Sequence, residues 1–359
     1  EEERIRALAR DARTGGSRGA LGAAVASLGP ERQSAVLRAF ALFFQLVNIA
    51  EQHHRIRRRR EYEAEGRVPR ESLADAFAQL DRSGIDEAEI QAAGARLRVE
   101  LVLTAHPTEA RRRAISTSIR RLSELLGEHD DAAENDTEVR RTERRMLEEI
   151  DTLWRTAPLR REKPSPVDEV RSVMAVFDET LYTAVPRVYR RIDDILQGED
   201  AGAKAPIVKP FVRVGSWVGG DRDGNPFVTA SVTRKAAAIA SEHVLLGLER
   251  TTQRVGRGLT LDAETTPPSD ALLALWHRLR AADEDEAKEI AERSPDEPHR
   301  RIMLLLARKI AATRTRNADL AYRDPEHLLA DLRVVQDSLV AAGAARQAYG
   351  ALQRLVWQV

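Results

Sequence analysis

The side chain in this sequence best placed to do chemistry is His106, which follows an apolar stretch. The run from Arg98 to Thr104 has the pattern of a β-strand, and Pro107 stops it just after the histidine. A strand that runs into a histidine before a helix is how α/β folds commonly present a catalytic side chain. Imidazole, with an ordinary pKa of about 6.5, exchanges a proton near neutrality. On position alone, a core histidine hydrogen-bonded at the strand end is an equal alternative.

Three consecutive arginines follow the histidine, on the first turns of a helix predicted from about 109 to 127. Arg111, Arg112 and Arg113 would reinforce the positive end of the helix dipole and attract an anionic ligand. For any one of them, a salt-bridged surface position is at least as good an interpretation. The triplet therefore supports an anion site only together with other features.

A second polar loop, 215–226, follows a second strand predicted at 207–214. Its glycines are not followed by the Gly-Lys-Ser/Thr of a phosphate-binding loop, and it lacks the glutamate of a calcium loop. Glycines let backbone turn tightly or approach a ligand, and Trp217 offers a flat apolar wall. Arg222 lies between Asp221 and Asp223, which we expect to hold its guanidinium in a fixed orientation. These features favour the lining of an active site over a purely structural loop.

The composition excludes several classes of protein. The 359 residues carry 57 basic and 57 acidic side chains, so we expect no general nucleic-acid binder. The absence of cysteine excludes disulfides, thiolate zinc sites and cysteine nucleophiles. No uninterrupted apolar run approaches the ~20 residues of a membrane span, and no secretory signal opens the chain. We therefore expect a cytoplasmic protein without a membrane partner.

The remaining pattern is mostly helical, with only the two strands. Helix starts are predicted at Pro30, after the cap Ser165 and after the cap Thr229. A two-stranded parallel sheet is not independently stable, so either further strands lie beyond this segment or the pattern hides some. The chain begins without methionine and ends within an apolar pattern. We expect it to be a fragment of a longer single-chain fold.

Both loops, in order, resemble motifs of the phosphoenolpyruvate carboxylase family. They are Thr104-Ala-His-Pro-Thr-Glu109, with Arg112 and Arg113, and Ser216-Trp-Val-Gly-Gly-Asp-Arg-Asp-Gly-Asn-Pro226. Further matches are Ala50-Glu-Gln-His-His54, Lys163-Pro-Ser-Pro-Val-Asp-Glu169 and Pro325-Glu-His-Leu-Leu-Ala-Asp-Leu332. The resemblance covers essentially the whole chain. Val218, Phe227 and Ala114 depart from the residues usual in the family, and the family's second half has no counterpart here.

The resemblance implies a mostly α fold with an α/β part. The two strands would be the first of a TIM-like (β/α)8 barrel embedded in many extra helices. Residues 1–97 would form an N-terminal helical region. Residues 98–359 would form the first part of the barrel, with strands near 98–104 and 207–214, cut before the C-terminal half.

The resemblance also implies an activity. The family joins phosphoenolpyruvate and bicarbonate into oxaloacetate and phosphate, through carboxyphosphate and the enolate of pyruvate, and so supplies the citric acid cycle. His106 would be the catalytic proton acceptor, and Trp217, Arg222 and Asp223 would line the substrate pocket. Arg112 and Arg113 would be anion or effector contacts. The Mg²⁺ or Mn²⁺ ligands are expected outside this segment, and the full-length form is expected to be a homotetramer that is allosterically regulated.

Two other interpretations stay open. One is a non-catalytic helical scaffold, either a truncated or a degenerate relative, although intact His106 and Trp217 argue against degeneration. The other is a phosphohistidine carrier that uses His106 to accept the phosphoryl group of phosphoenolpyruvate. The segment alone is expected to be inactive in either the carboxylase or the scaffold interpretation.

Overall fold

The structure is a computed structural model, and it describes residues 2–104, 113–157, 164–223 and 225–359, with the side chain of residue 113 excepted. The described part is mostly helical and contains two strands. In chain order the elements are α1 (Glu2–Arg13), α2 (Arg18–Ala26), α3 (Pro30–Ala64), α4 (Leu73–Arg82), α5 (Glu87–Gly94), β1 (Val99–Leu103), α6 (Arg113–Asp131), α7 (Asp136–Arg155), α8 (Pro166–Val176), a π-helical turn (Phe177–Leu181), α9 (Tyr182–Gln197), a 3₁₀ turn (Gly198–Asp200), β2 (Val212–Ser216), α10 (Ala230–Gly258), α11 (Asp270–Ala282), α12 (Glu284–Arg293), α13 (Pro298–Arg314), α14 (Pro325–Ala341), α15 (Ala345–Gln347), a second π-helical turn (Ala348–Leu352) and α16 (Gln353–Gln358).

The three helix starts predicted from capping residues are confirmed. Pro30 is the first residue of α3, where its missing N–H has no intrahelical partner to lose. Ser165 and Asp168 form a reciprocal capping box at the start of α8. Thr229 caps α10 by accepting a hydrogen bond from the backbone N–H of Val232. Local sequence signals were sufficient at these sites because each cap is satisfied within its own turn.

The predicted end of α6 at Gly127 was wrong. The helix continues to Asp131, although an interior glycine costs roughly 1 kcal/mol relative to alanine. Gly127 lies against the ring of His53, where an added Cβ would come within 3.7 Å. The same helix buries Leu122 and Leu125, and this packing offsets the local preference of glycine.

The residues group into two compact units, and the first is made of α1, α2, α3, α6 and α7. Its core is formed where α3 packs with α6 and α7. The buried members are Ile49, Ile115, Leu122 and Leu153. Leu42 and Leu46 of α3 extend this contact at helical spacing, so one face of the long helix is buried.

The helix α3 is also long and apolar enough to pass a membrane-span test. Its best 18-residue window has a mean hydropathy of 1.3 and is 6% buried. A core helix of a soluble protein passes the same test, and α3 packs one face against α6 and α7. The opposite face leaves Leu37 and Phe44 exposed. The test rests on length and composition only, and the expectation of no membrane partner stays a prediction.

The second unit holds both strands and the larger core. Its elements are α4, α5, β1 and everything from α8 onward. The core lies among α10, α11, α13 and α14, and fully buried members include Leu272, Ile302, Leu306 and Leu332. The domain boundary predicted after residue 97 was the start of the family's barrel. The two units are defined by contacts between residues, so they do not test that boundary, and it stays a prediction.

The strands β1 and β2 form a two-stranded parallel sheet. Val99 pairs with Val212, and the register continues to the pair of Leu103 and Ser216. The second strand was predicted at 207–214, and this placement was wrong at both ends. The backbone N–H groups of Ile207 and Val208 instead donate to a side chain of α9, so that stretch cannot pair with β1.

A buried histidine lies in the core of the second unit. His299, at the start of α13, has no exposed surface, and its Nε2 lies 2.9 Å from the hydroxyl of Ser338. The same hydroxyl accepts a hydrogen bond from the backbone N–H of Ser269. The Nδ1 atom is buried without a partner among the described residues. Burial lowers the pKa of His299 to about 4, because the imidazolium would lose its hydration there.

This histidine should make the unfolding free energy pH-dependent. Its folded pKa of about 4 lies below the unfolded value of about 6.5, so protons bind preferentially to the unfolded chain. We expect His299 to contribute a loss of up to about 3 kcal/mol as the pH falls from 6.5 to 4. Urea unfolding at several pH values should show a shallower loss in His299→Gln.

The exposed His277 provides the matched control, because His277→Gln should keep the wild-type slope. NMR titration of the His299 ring measures the same property without a substitution. A ring that titrates near 6.5 in the folded chain would contradict the proposed burial effect.

Candidate functional site

The parallel strand pair brings the two predicted loops to one edge of the sheet. Both strands end together, at Leu103 and Ser216. The backbone N–H of Trp217 donates to the carbonyl of Leu103 over 2.9 Å, which extends the pairing one residue into the second loop. In parallel sheets this carboxyl edge is where ligands commonly bind. The two segments singled out from the sequence therefore leave the sheet side by side.

Several predicted site residues lie outside the described part of the chain. Thr104 is the last described residue of the first loop, and His106 and Arg112 fall in the gap that follows. Arg113 begins α6, but its side chain is also outside the description. Their predicted roles as proton acceptor and anion contacts stay predictions.

Trp217 and Val218 take opposite orientations in the second loop. The Trp217 side chain is 59% exposed, which is unusual for so large an apolar surface. Val218 is 9% exposed and packs with Val170, Met174 and Ala236. The valine anchors the loop to α8 and α10, while the indole is left free to contact a ligand.

The tight turn after Trp217 depends on Gly219. Its φ of +77° lies in the left-handed region, which costs a residue with a Cβ roughly 1–2 kcal/mol. An added Cβ would also lie 2.6 Å from the Cβ of Ala236 and 2.8 Å from Val170. The N–H groups of Gly220 and Asp221 both donate to the carbonyl of Trp217, closing the turn. Glycine is required at 219 by conformation and by space.

The Asp-Arg-Asp triplet differs from its expected arrangement. Asp221 uses its Oδ1 to accept the backbone N–H of Asp223 over 3.0 Å, which forms a local turn. Arg222 and Asp223 are both exposed. Within the described ranges the Arg222 guanidinium has no ion pair, so the carboxylates on either side do not hold it. The expectation of a clamped arginine was wrong because Asp221 bonds to backbone instead.

The end of the loop is ordered by two further side chains. Asn225 accepts a hydrogen bond from the backbone N–H of Phe227 over 3.1 Å, and Thr229 then caps α10. Phe227 is 70% exposed, so the loop presents two uncovered aromatic rings, at 217 and 227. Residue 224 is not described. An exposed aromatic pair beside an arginine without an ion pair among the described residues suits a ligand with an apolar part and a negative charge.

Sequence reasoning missed two residues of α9 that position β2. Asp193 is completely buried, and its Oδ1 accepts the backbone N–H groups of Ile207 and Val208, each over 3.0 Å. Tyr189, one turn earlier, accepts the backbone N–H of Val212 on its hydroxyl over 3.0 Å. Burial raises the pKa of Asp193, and the two backbone hydrogen bonds oppose that rise. The sequence signal for this role was an acidic residue, Asp193, beside Tyr189 and Ile192 on an apolar face of α9.

No site for a divalent cation is found in the described ranges. No three His, Asp or Glu side chains there are grouped to hold a metal ion. The ligands of the predicted Mg²⁺ or Mn²⁺ were expected outside this segment, and that expectation stays a prediction.

The described chain is mostly helical, and its two parallel strands end together where the exposed loop after β2 begins. A sequence model of the family described as phosphoenolpyruvate carboxylase matches residues 2–359. The chain therefore belongs to the phosphoenolpyruvate carboxylase family.

Individual relatives agree with this assignment. The chain is 33% identical over 357 residues to a protein of Azorhizobium caulinodans named phosphoenolpyruvate carboxylase. The matched region covers 93% of this chain and 37% of that protein. It is 36% identical over 343 residues to the protein of that name from Aromatoleum aromaticum, covering 92% and 36%. The protein of that name from Pseudomonas paraeruginosa is 40% identical over 242 residues, covering 66% and 27%. The chain thus spans between 27% and 37% of the length of these relatives.

The requirement for glycine at 219 can be tested by substitution. We expect Gly219→Ala to lower the unfolding free energy by roughly 2–4 kcal/mol, since it adds left-handed strain to overpacking against Ala236. Thermal or urea unfolding of the purified chain measures this. Gly220→Ala is the matched control, because its added Cβ would meet nothing closer than 3.8 Å. Equal stability of the two variants would show that the turn is not constrained at 219.

Proposed function

We propose that the protein of full family length that contains this chain catalyses the carboxylation of phosphoenolpyruvate by bicarbonate, yielding oxaloacetate and phosphate. The observation that carries the proposal is family membership over residues 2–359, with both loop motifs intact in the sequence. In the family, bicarbonate attacks the phosphoryl group and gives carboxyphosphate and the enolate of pyruvate. Carboxyphosphate then releases CO₂, which the enolate captures. The oxaloacetate would supply the citric acid cycle.

In this proposal His106 takes the proton of carboxyphosphate and so assists its breakdown. Its support is chain connectivity: residue 106 is only three positions beyond Leu103, whose carbonyl accepts the N–H of Trp217. Three residues span at most about 10 Å, so side chains at 106 and 217 can reach one small ligand. A positioned base of suitable pKa typically contributes about 10²–10⁴-fold to a rate.

Trp217 would form the apolar wall around the methylene carbon of the substrate. Its support is the 59% exposed indole on a loop whose next residue is buried as an anchor. A dry wall protects the enolate from protonation by water, which would release pyruvate instead of oxaloacetate.

Charged residues complete the proposed site. Arg222 is exposed and unpaired in the described part, so its guanidinium is available to an anionic group of the substrate, with Asp223 beside it. Arg112 and Arg113 are proposed as contacts for an anionic effector. Mg²⁺ or Mn²⁺, with ligands outside this segment, is the proposed cofactor of the full-length protein.

The larger fold is part of the same proposal. A parallel sheet is normally covered on both faces, yet Val102 and Val214 are 52% and 42% exposed here. A cavity of about 620 Å³ lies beside β2 and is lined by Val212, Val214 and Trp357. We propose that further strands of a TIM-like barrel complete this sheet in the full-length protein. A homotetramer, allosteric control and a cytoplasmic location complete the proposal.

The role of His106 is tested in the full-length protein. We expect His106→Asn to lower oxaloacetate formation by at least about 10²-fold, because asparagine cannot take a proton, while phosphoenolpyruvate binding is kept. A coupled assay for oxaloacetate and equilibrium binding of phosphoenolpyruvate give the two quantities. His277→Asn, an exposed position of α11, should keep full activity. Normal turnover of the His106 variant would remove the histidine from the mechanism.

The chain by itself should be inactive, since the described residues lack a metal site. Purified residues 1–359 should release no phosphate from phosphoenolpyruvate in the presence of bicarbonate and Mg²⁺. Acid-labile ³²P on residue 106 would instead favour the phosphohistidine carrier. Bicarbonate-dependent activity of this chain would contradict the proposed division of the active site.

A further inference from the structure

An apolar cavity of about 510 Å³ lies in the second unit, away from the two loops. It lies between α4, α5, α9 and the segment 207–211. Its walls include the apolar side chains of Leu73, Phe77, Ala92, Ile192, Leu196 and Phe211. Its volume falls in the range of small-molecule sites, about 300–1,000 Å³. Phe211 precedes β2, so this cavity borders the opposite end of the strand from Trp217.

The lining carries a single charge. Lys209 is exposed at the rim, and its ammonium has no ion pair within the described part of the chain. Gln91 is the other polar side chain that matters here, and its amide already donates to Glu87 over 3.0 Å. The cavity therefore offers one positive charge beside an otherwise apolar interior.

The two walls of the cavity are held with different strength. On the inner side, Asp193 and Tyr189 fix the segment 207–212 to α9 through three backbone hydrogen bonds. On the outer side, no side chain of α4 or α5 is fully buried, and Phe77 and Leu80 are half-buried. The outer wall can therefore move aside to admit a ligand without breaking the core of the unit.

We propose that this cavity binds a free medium-chain monocarboxylate, with its alkyl tail among Phe77, Leu196 and Phe211 and its carboxylate on Lys209. One cation matches one carboxylate, whereas a phosphorylated head group would leave negative charge unpaired. A neutral apolar ligand would leave the ammonium without a partner. The proposal is independent of the proposed carboxylase activity, because it uses neither loop.

Calorimetry of the purified chain with hexanoate, octanoate and decanoate below their micelle concentrations tests the tail. Binding should tighten about fourfold for each added methylene until the cavity is filled. Decanol should bind roughly tenfold more weakly than decanoate, since it lacks the charge-assisted contact. Affinity that does not depend on tail length would overturn the proposal.

Two variants separate the head group from the tail. Lys209→Gln should weaken decanoate roughly tenfold and leave decanol unchanged. Lys204→Gln is its control, because that ammonium is already paired with Asp200 over 2.7 Å. Ala92→Trp should fill the cavity and abolish binding of both ligands, and the chain should still fold because Ala92 is exposed on α5. Unchanged decanoate binding in Lys209→Gln and Ala92→Trp would overturn the proposal. Sedimentation of the chain with anionic vesicles, in place of decanoate binding, would also overturn it.

Discussion

The pairing of two short parallel strands is the constraint on which the candidate site depends. Five residue pairs join β1 to β2, and such a sheet is not stable without support. That support comes from α9, where Asp193 binds the backbone before β2 and Tyr189 binds its first residue. If β2 slipped by one residue, every side chain would change face, and Trp217 would leave the edge it shares with Leu103.

The support continues from α9 into the core of the second unit. The ring of Tyr189 meets the ring of Trp357 at 5.7 Å, in an edge-on arrangement. The neighbouring Arg190 donates to the carbonyl of Tyr349 and lies over the ring of Trp357. The C-terminal helices thus hold α9, which holds β2, which positions Trp217.

The second loop buries the side chain of Val218 and exposes that of its neighbour Trp217. Val218 turns into the apolar cluster with Ala236, and Gly219 has the one conformation that permits that approach. Trp217 is then forced outward, where an indole would otherwise be buried. The hydrogen bonds within the loop are made by backbone and by Asp221, so Arg222 is left available to a ligand.

Much of this arrangement could be predicted from the sequence, since it rests on local chemistry. The caps at Ser165 and Thr229, the proline start of α3 and the family motifs all act within a few residues. The first strand was also placed to within one residue at each end. His106 and Trp217 were recognised by residue type and neighbours, although the structure describes only the second of them.

The tertiary structure decided what depends on distant partners. The strand β2 begins later than predicted because Asp193 of α9 accepts hydrogen bonds from the backbone N–H groups of Ile207 and Val208. The helix α6 passed Gly127 because packing outweighs a local preference of roughly 1 kcal/mol. Asp221 accepts a backbone hydrogen bond, and Arg222 forms no ion pair with the residues that the structure describes. In each case buried or backbone groups must find hydrogen-bond partners or packing, and only the folded chain shows where these are.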